Sequence, residues 1–167
     1  MPNSEKLLEL LERLGPELHA LLTRLTLRAD VAEDLMQDLF IKLASSNLDK
    51  VTNLDAYART TAINLAFDWR RRRGRAVSID EEQFPEPVSD DAGPLTHLQA
   101  DEQIQQVFAA MARLNKLQRQ VFVLRYIQQQ SFEEIAQQTG KTPHHVRALC
   151  SRAMARIRQF CCKKGWQ

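Results

Sequence analysis

Leu7, Leu8, Leu11 and Leu14 recur at helical spacing near the start of the chain, and Gly15-Pro16 interrupts the run. The pattern predicts one helix ending there and a second opening at Pro16, whose fixed φ suits a first turn. Leu18, Leu21, Leu22 and Leu25 form its apolar stripe. Asp30 is placed to cap a third helix that buries Val31, Leu35, Leu39 and Leu43. Asn53 is placed to cap a fourth, running to about Arg73 with Leu54, Tyr57, Thr61 and Leu65 inward and ending at Gly74.

The periodicity then stops. Ala76–Pro94 holds Gly93, three prolines and most of the nearby acids, so it reads as a linker of about twenty residues. Connections of that length are uncommon inside one compact domain, which points to two. Helical spacing resumes near Thr96 with Leu98, Ile104, Val107, Phe108 and Met111. Asn115 can cap a helix through Tyr126 that buries Val121, Phe122 and either Leu124 or Ile127. Ser131-Phe132-Glu133-Glu134 fits a capping box, and Gly140 supplies a stop for the helix it opens. Thr142-Pro143 then caps and begins a last helix to about Phe160. The expectation is an all-α fold of two small helical domains, 1–75 and 96–167, joined by an acidic flexible linker at 76–95.

Charge sharpens this division. The 167 residues carry a net charge of only +2, but the charge is segregated. Residues 76–112 hold eight acids and no Lys or Arg, whereas residues 113–167 hold eleven basic side chains against Glu133 and Glu134. A basic end beside an acidic block calls for a polyanionic partner of the former. No apolar run approaches the roughly 20 residues of a membrane span, so no membrane insertion is expected. Acids in Met1–Glu12 argue against a secretory signal, and Cys150, Cys161 and Cys162 lack disulfide-framework spacing. A cytoplasmic protein is expected. The four histidines make no ligand set, and His144, His145 and Cys150 do not form a two-plus-two zinc pattern. Neither catalytic residues, a metal nor a cofactor is expected.

Three stretches carry candidate chemistry. In Ser131–Arg158, Phe132, Ile135 and the small Ala136 face inward, Gly140 allows a sharp turn, and Val146 and Leu149 pack back on Ile135. These residues meet the steric needs of a helix-turn-helix. Its second helix presents Thr142, Pro143, His144, His145, Arg147, Ala148, Ser151 and Arg152 to base edges in a major groove, with Arg156 and Arg158 as basic flanks. Arg147 can read a guanine in bidentate fashion, worth about 1–3 kcal/mol of discrimination. The second stretch is Arg70-Arg71-Arg72-Arg73 with Arg75, more positive charge than a helix end requires, which favours phosphate binding. Upstream, Asn64 and Asp68 share a helix face and can hydrogen-bond unpaired bases, while Trp69 is either a stacking platform or a core residue. The third is the helix of Glu33, Asp34, Gln37 and Asp38, whose acidic face fits a docking surface or plain solvation equally well.

In this order the three stretches resemble a bacterial RNA polymerase sigma factor of the extracytoplasmic-function group of the sigma-70 family. Glu33-Asp34-Leu35-Met36-Gln37-Asp38-Leu39-Phe40 is similar to that family's signature for docking on the polymerase clamp helices. The resemblance thereby assigns docking to Glu33, Asp34, Leu35, Gln37, Asp38 and Phe40. Tyr57–Arg73 resembles the element that melts and reads the minus-ten sequence, with Asn64 at the base-contacting asparagine. Leu114–Arg158 looks like the minus-thirty-five reader, including Val146-Arg147 and Ser151-Arg152-Ala153. Phe67-Asp68-Trp69-Arg70-Arg71 resembles the iron-starvation branch. The resemblance implies a dissociable specificity subunit that binds core RNA polymerase, recognises promoter DNA and helps melt it. An anti-sigma factor is an optional third partner. It also implies that the acidic linker threads the polymerase channel later occupied by RNA. The rival expectation is a stand-alone helix-turn-helix transcription regulator with an N-terminal dimerisation region.

Overall fold

The leucine stripe near the N-terminus carries one helix straight across Gly15-Pro16. In the computed structural model, which describes residues 2–77, 94–163 and 165, α1 runs unbroken over Pro2–Thr26. Proline inside a helix costs about 3 kcal/mol through a lost hydrogen bond and a steric clash. Leu7, Leu10, Leu14, Leu18, Leu21, Leu22 and Leu25 are all buried, each contributing roughly 2 kcal/mol, and together they outweigh it. The two helices expected there are therefore one. Leu8, expected on the stripe, is exposed, and Leu10 takes the inward position.

A tight turn follows α1. Leu27 adopts a left-handed φ of 60°, and its N–H donates to Thr23 O at 2.7 Å. The buried Thr26 hydroxyl donates to Leu22 O at 2.7 Å. This turn starts α2 (Ala29–Ser45) earlier than a cap at Asp30 would allow, with Arg28 in the cap position. Asp30 lies in the first turn instead, paired with Arg28 at 2.7 Å, where a carboxylate still meets the positive end of the helix. Val31, Leu35, Leu39 and Leu43 are buried as the spacing predicts. A short turn at Leu48–Lys50 leads to α3 (Leu54–Val77), where Asn53 Oδ1 accepts from Ala56 N–H at 3.0 Å. The inward face of α3 differs from expectation. Ala58, Ala62, Ile63, Ala66 and Phe67 fill the core beside Leu65, while Tyr57 is exposed and bonds Ser46. Small alanines let α3 approach α1 and α2 closely, which a tyrosine at that face would prevent. Nor does Gly74 end α3: its φ is not left-handed, so nothing terminates the helix there.

The acidic segment 78–93 lies outside the described residues. From Pro94 the chain forms α4 (Pro94–Ala112), α5 (Lys116–Phe122), α6 (Phe132–Thr139) and α7 (Pro143–Lys163). Asn115 caps α5 as expected, accepting from Gln118 N–H at 2.8 Å. The helix expected to continue through Tyr126 widens into a π-helical turn at Val123–Ile127. That widening brings Val121, Phe122, Val123 and Leu124 all into the core, more than one α-helical face can bury. The described residues are all helix, turn or irregular chain, so the fold is all-α.

The α1–α3 bundle and the α4–α7 unit share one apolar cluster. Phe67 and Phe108 face each other across the seam at 6.4 Å between ring centres. Polar bonds flank them, among them Gln120 Nε2 to Thr60 Oγ1 at 2.6 Å and Arg24 to Ile127 O at 3.3 Å.

Candidate nucleic-acid interface

The helix-turn-helix is built from bonds that close within a few residues. Glu134 N–H donates to Ser131 Oγ at 3.1 Å, and Ser131 N–H donates to Glu134 Oε2 at 2.8 Å, which completes the capping box of α6. Gly140 sits at φ 68° and ψ 23°, and the Lys141 N–H returns to Ala136 O at 3.1 Å. Thr142 Oγ1 then accepts from His145 N–H at 3.2 Å, opening α7 at Pro143. Ile135, Ala136, Val146, Leu149, Cys150 and Ala153 are buried between the helices.

That packing leaves a definite outer face. Thr142, His144, His145, Arg147, Ser151 and Arg152 are exposed, with Pro143 and Ala148 half-buried beside them. Arg156 and Arg158 continue the exposed positive charge along α7. Phe132 is flanked by two guanidinium groups, Arg125 at 4.2 Å and Arg147 at 5.2 Å from its ring centre. Glu133 lies 4.0 Å from Arg147. The Arg147 side chain stays mostly exposed beside that ring and carboxylate.

The arginine run of α3 does not act as one unit. Arg71 and Arg72 are exposed and Arg73 is half-buried over Trp69 at 5.3 Å. Arg70, expected to face phosphate, turns inward instead. Its Nε donates to Leu25 O at 2.6 Å, its Nη1 to Gln105 at 3.0 Å, and its guanidinium lies 3.7 Å from the Phe108 ring centre. Burial, with Arg73 nearby, lowers its pKa to about 10. Asn64 and Asp68 are half-buried on one face, and the Asp68 carboxylate is paired with Arg71. That pairing offsets the repulsion a carboxylate would meet beside phosphate. Trp69 is partly buried against the core, with Arg70 and Arg73 at 6.0 and 5.3 Å from its ring centre.

On α2, Glu33, Asp34, Gln37, Asp38 and Phe40 are exposed together. Leu35 was grouped with them but is 2% exposed, because it lies on the Val31–Leu43 stripe that seats α2 on the core. The sequence reading missed Ile41, which is 63% exposed beside Asp38. Its signal was available, since an apolar residue off the buried stripe must face outward. Ile41 and Asp38, with Lys42, Leu65, Asp68, Arg71 and Arg72, line an open groove of about 550 Å³ between α2 and α3. The acidic face and the arginine face thus meet at one groove.

Residues 10–76 match the family Sigma-70 region 2, and residues 104–157 match Sigma-70, region 4. An RNA polymerase sigma-E factor of Streptomyces coelicolor is 32% identical over 130 residues, covering 77% of this chain and 70% of that protein. The chain belongs to the extracytoplasmic-function group of the sigma-70 family. It is a sigma factor that directs RNA polymerase, and the region 2 match sets aside a stand-alone regulator. The ECF RNA polymerase sigma factor EcfG of Rhodopseudomonas palustris is 26% identical over 160 residues, 94% of this chain and 86% of that one. The sigma factor RpoE of Bartonella quintana, solved in complex with the anti-sigma factor NepR, has a TM-score of 0.52 and 26% identity. That match covers 92% of this sigma factor and 94% of the Bartonella chain. No helix among the described residues is long and apolar enough to cross a membrane.

Proposed function

We propose that this sigma factor divides its work between residues 1–75, which dock on core RNA polymerase and read the minus-ten element, and residues 96–167, which read the minus-thirty-five element. Residues 76–95 connect them as an acidic strap whose charge suits a positively charged polymerase channel and repels DNA. On α7, Thr142, Pro143, His144, His145, Arg147, Ala148, Ser151 and Arg152 meet the upstream major groove. On α3, Asn64, Asp68 and Trp69 receive unpaired bases while Arg71, Arg72 and Arg73 hold phosphates. On α2, Glu33, Asp34, Gln37, Asp38 and Phe40, with Ile41, form the docking face. The chain catalyses nothing itself and acts in the cytoplasm, where its polymerase is. An anti-sigma factor is a further partner, as it is for the Bartonella quintana relative.

The observation that carries this reading is the exposed polar and basic face of α7, held rigidly by the Ser131–Glu134 box and the Gly140 turn. The deciding experiment is reconstituted transcription with core polymerase on genomic fragments, including the region upstream of the protein's own gene. Discrete transcripts that need both core enzyme and this chain are expected. A polymerase that initiates identically with and without the chain overturns the proposal.

A further inference from the structure

Residues 113–167 hold eleven basic side chains and two acids, Glu133 and Glu134. Both acids stand in the first turn of α6, beside the outer face of α7. Glu134 has a structural task there, since its Oε2 accepts from Ser131 N–H at 2.8 Å in the capping box. Glu133 takes no part in that box. The positive end of α6 favours an acid in its first turn, and Glu134 already supplies one.

The geometry gives Glu133 a different neighbour. Its Oε1 lies 4.0 Å from Arg147 Nη2, and both side chains are more than half exposed, at 64% and 61%. The Phe132 ring lies beside them, with the Arg147 guanidinium 5.2 Å from its centre. A surface pair of this kind contributes little to the stability of a free chain. Its effect grows once a partner surface excludes water from around the two charges.

A guanidinium carries five N–H donors. A bidentate contact with guanine O6 and N7 uses two of them, which leaves donors for a carboxylate at its other edge. A guanine edge is neutral and tolerates that carboxylate. A phosphate is not, so an Arg147 that turned to the DNA backbone would carry Glu133 against a like charge. Discrimination between partners is commonly built from such a repulsive element as well as an attractive one.

We propose that Glu133 is a specificity-determining residue of the upstream contact: it shares Arg147 with a guanine edge and, by repelling phosphate, denies Arg147 a sequence-independent hold on the DNA backbone. The inference rests on the proposed reading of the upstream element by α7. Glu133 then acts mainly by weakening attachment to wrong sequences, and its charge contributes little to affinity for the right one.

The test uses holoenzyme reconstituted from core polymerase and the full chain, as wild type, Glu133→Gln, Arg147→Ala and the double variant. Glutamine keeps the length of the side chain and removes its charge, and an unchanged melting temperature checks the fold. Competition binding compares a promoter with a panel altered in single upstream base pairs, over a range of salt. One wrong base pair ordinarily costs about 5- to 150-fold in affinity. Glu133→Gln should narrow that ratio about fivefold at the base pair read by Arg147, by tightening binding to the altered promoters. On those promoters the log–log salt slope should steepen by about 0.9, the mark of one more phosphate contact. In the Arg147→Ala background, Glu133→Gln should leave the ratio unchanged. Unaltered discrimination in Glu133→Gln, with or without a uniform gain in affinity, overturns the inference. So does a narrowing that persists without Arg147, because Glu133 would then read a base by itself. A wild-type holoenzyme indifferent to every upstream substitution overturns the α7 reading and this inference together.

Discussion

Arg147 is the exposed α7 side chain proposed to read a base of the upstream element. Its guanidinium lies at the surface beside the Phe132 ring, so its removal leaves the buried faces of α6 and α7 intact. Arg147→Ala should cost about 1–3 kcal/mol at one base pair of the upstream element. Binding of the holoenzyme to a panel of altered promoters checks this, and an equal loss on every sequence would assign Arg147 to phosphate. Two glycines give a paired stability prediction of opposite sign. Gly140→Ala meets no atom within 4 Å but must hold φ 68°, so it should destabilise the chain by about 1 kcal/mol. Gly15→Ala, inside α1 and equally unobstructed, should stabilise it by about 0.5–1 kcal/mol. Urea titrations of the two variants against wild type read both signs. At this scale the caps and the turn glycine were legible because each acts on neighbours within four residues. The inward turn of Arg70 was not, because its ring partner, Phe108, belongs to the other module.

At the scale of the helix, α2 separates an exposed acidic face, proposed to dock, from the buried stripe that seats it on the core. Replacing Asp34 and Gln37 together should abolish co-purification with core polymerase at an unchanged melting temperature, since both are exposed. Leu35→Ala should instead destabilise the chain by about 2–5 kcal/mol, because it leaves a cavity under the helix. Retained co-purification of the double variant would remove α2 from the docking role. The α1–α3 pair yields a pH prediction. Arg13 donates to Asp55 at 2.7 Å and holds the Asp55 carboxyl below its usual value. A lowered carboxyl pKa adds stability above the unfolded value, and that stability is lost as pH falls through the folded one. Asp55→Asn should therefore flatten the acid limb of a melting-temperature profile between about pH 5 and pH 2, leaving a smaller difference from wild type at low pH than at neutrality. The pair is partly exposed, so the effect is small. The leucine spacing identified the face of α1 but not its continuity, since whether a proline breaks a helix depends on how much apolar surface the rest of that helix buries.

Promoter opening is a prediction at the scale of the whole molecule, because on the proposed reading strand separation uses polymerase, the upstream contact and α3 together. Asn64→Ala should slow transcription from a duplex promoter about tenfold, through a lost base contact, and affect a pre-melted template much less. Equal impairment on both templates would place Asn64 in binding rather than melting. The sequence alone was enough for the all-α fold, the helix-turn-helix, its exposed outer face and the acidic face of α2. These follow from apolar period, capping and turn chemistry, whose interactions close within one or two helical turns. Tertiary structure alone decided that α1 passes through Pro16, that Tyr57 stays outside while alanines pack inside, that α5 widens into a π turn, and that one arginine of four is withdrawn from the basic face. Each of these depends on free energy gained against residues distant in the chain, where four identical side chains stand in different surroundings and no local pattern tells them apart.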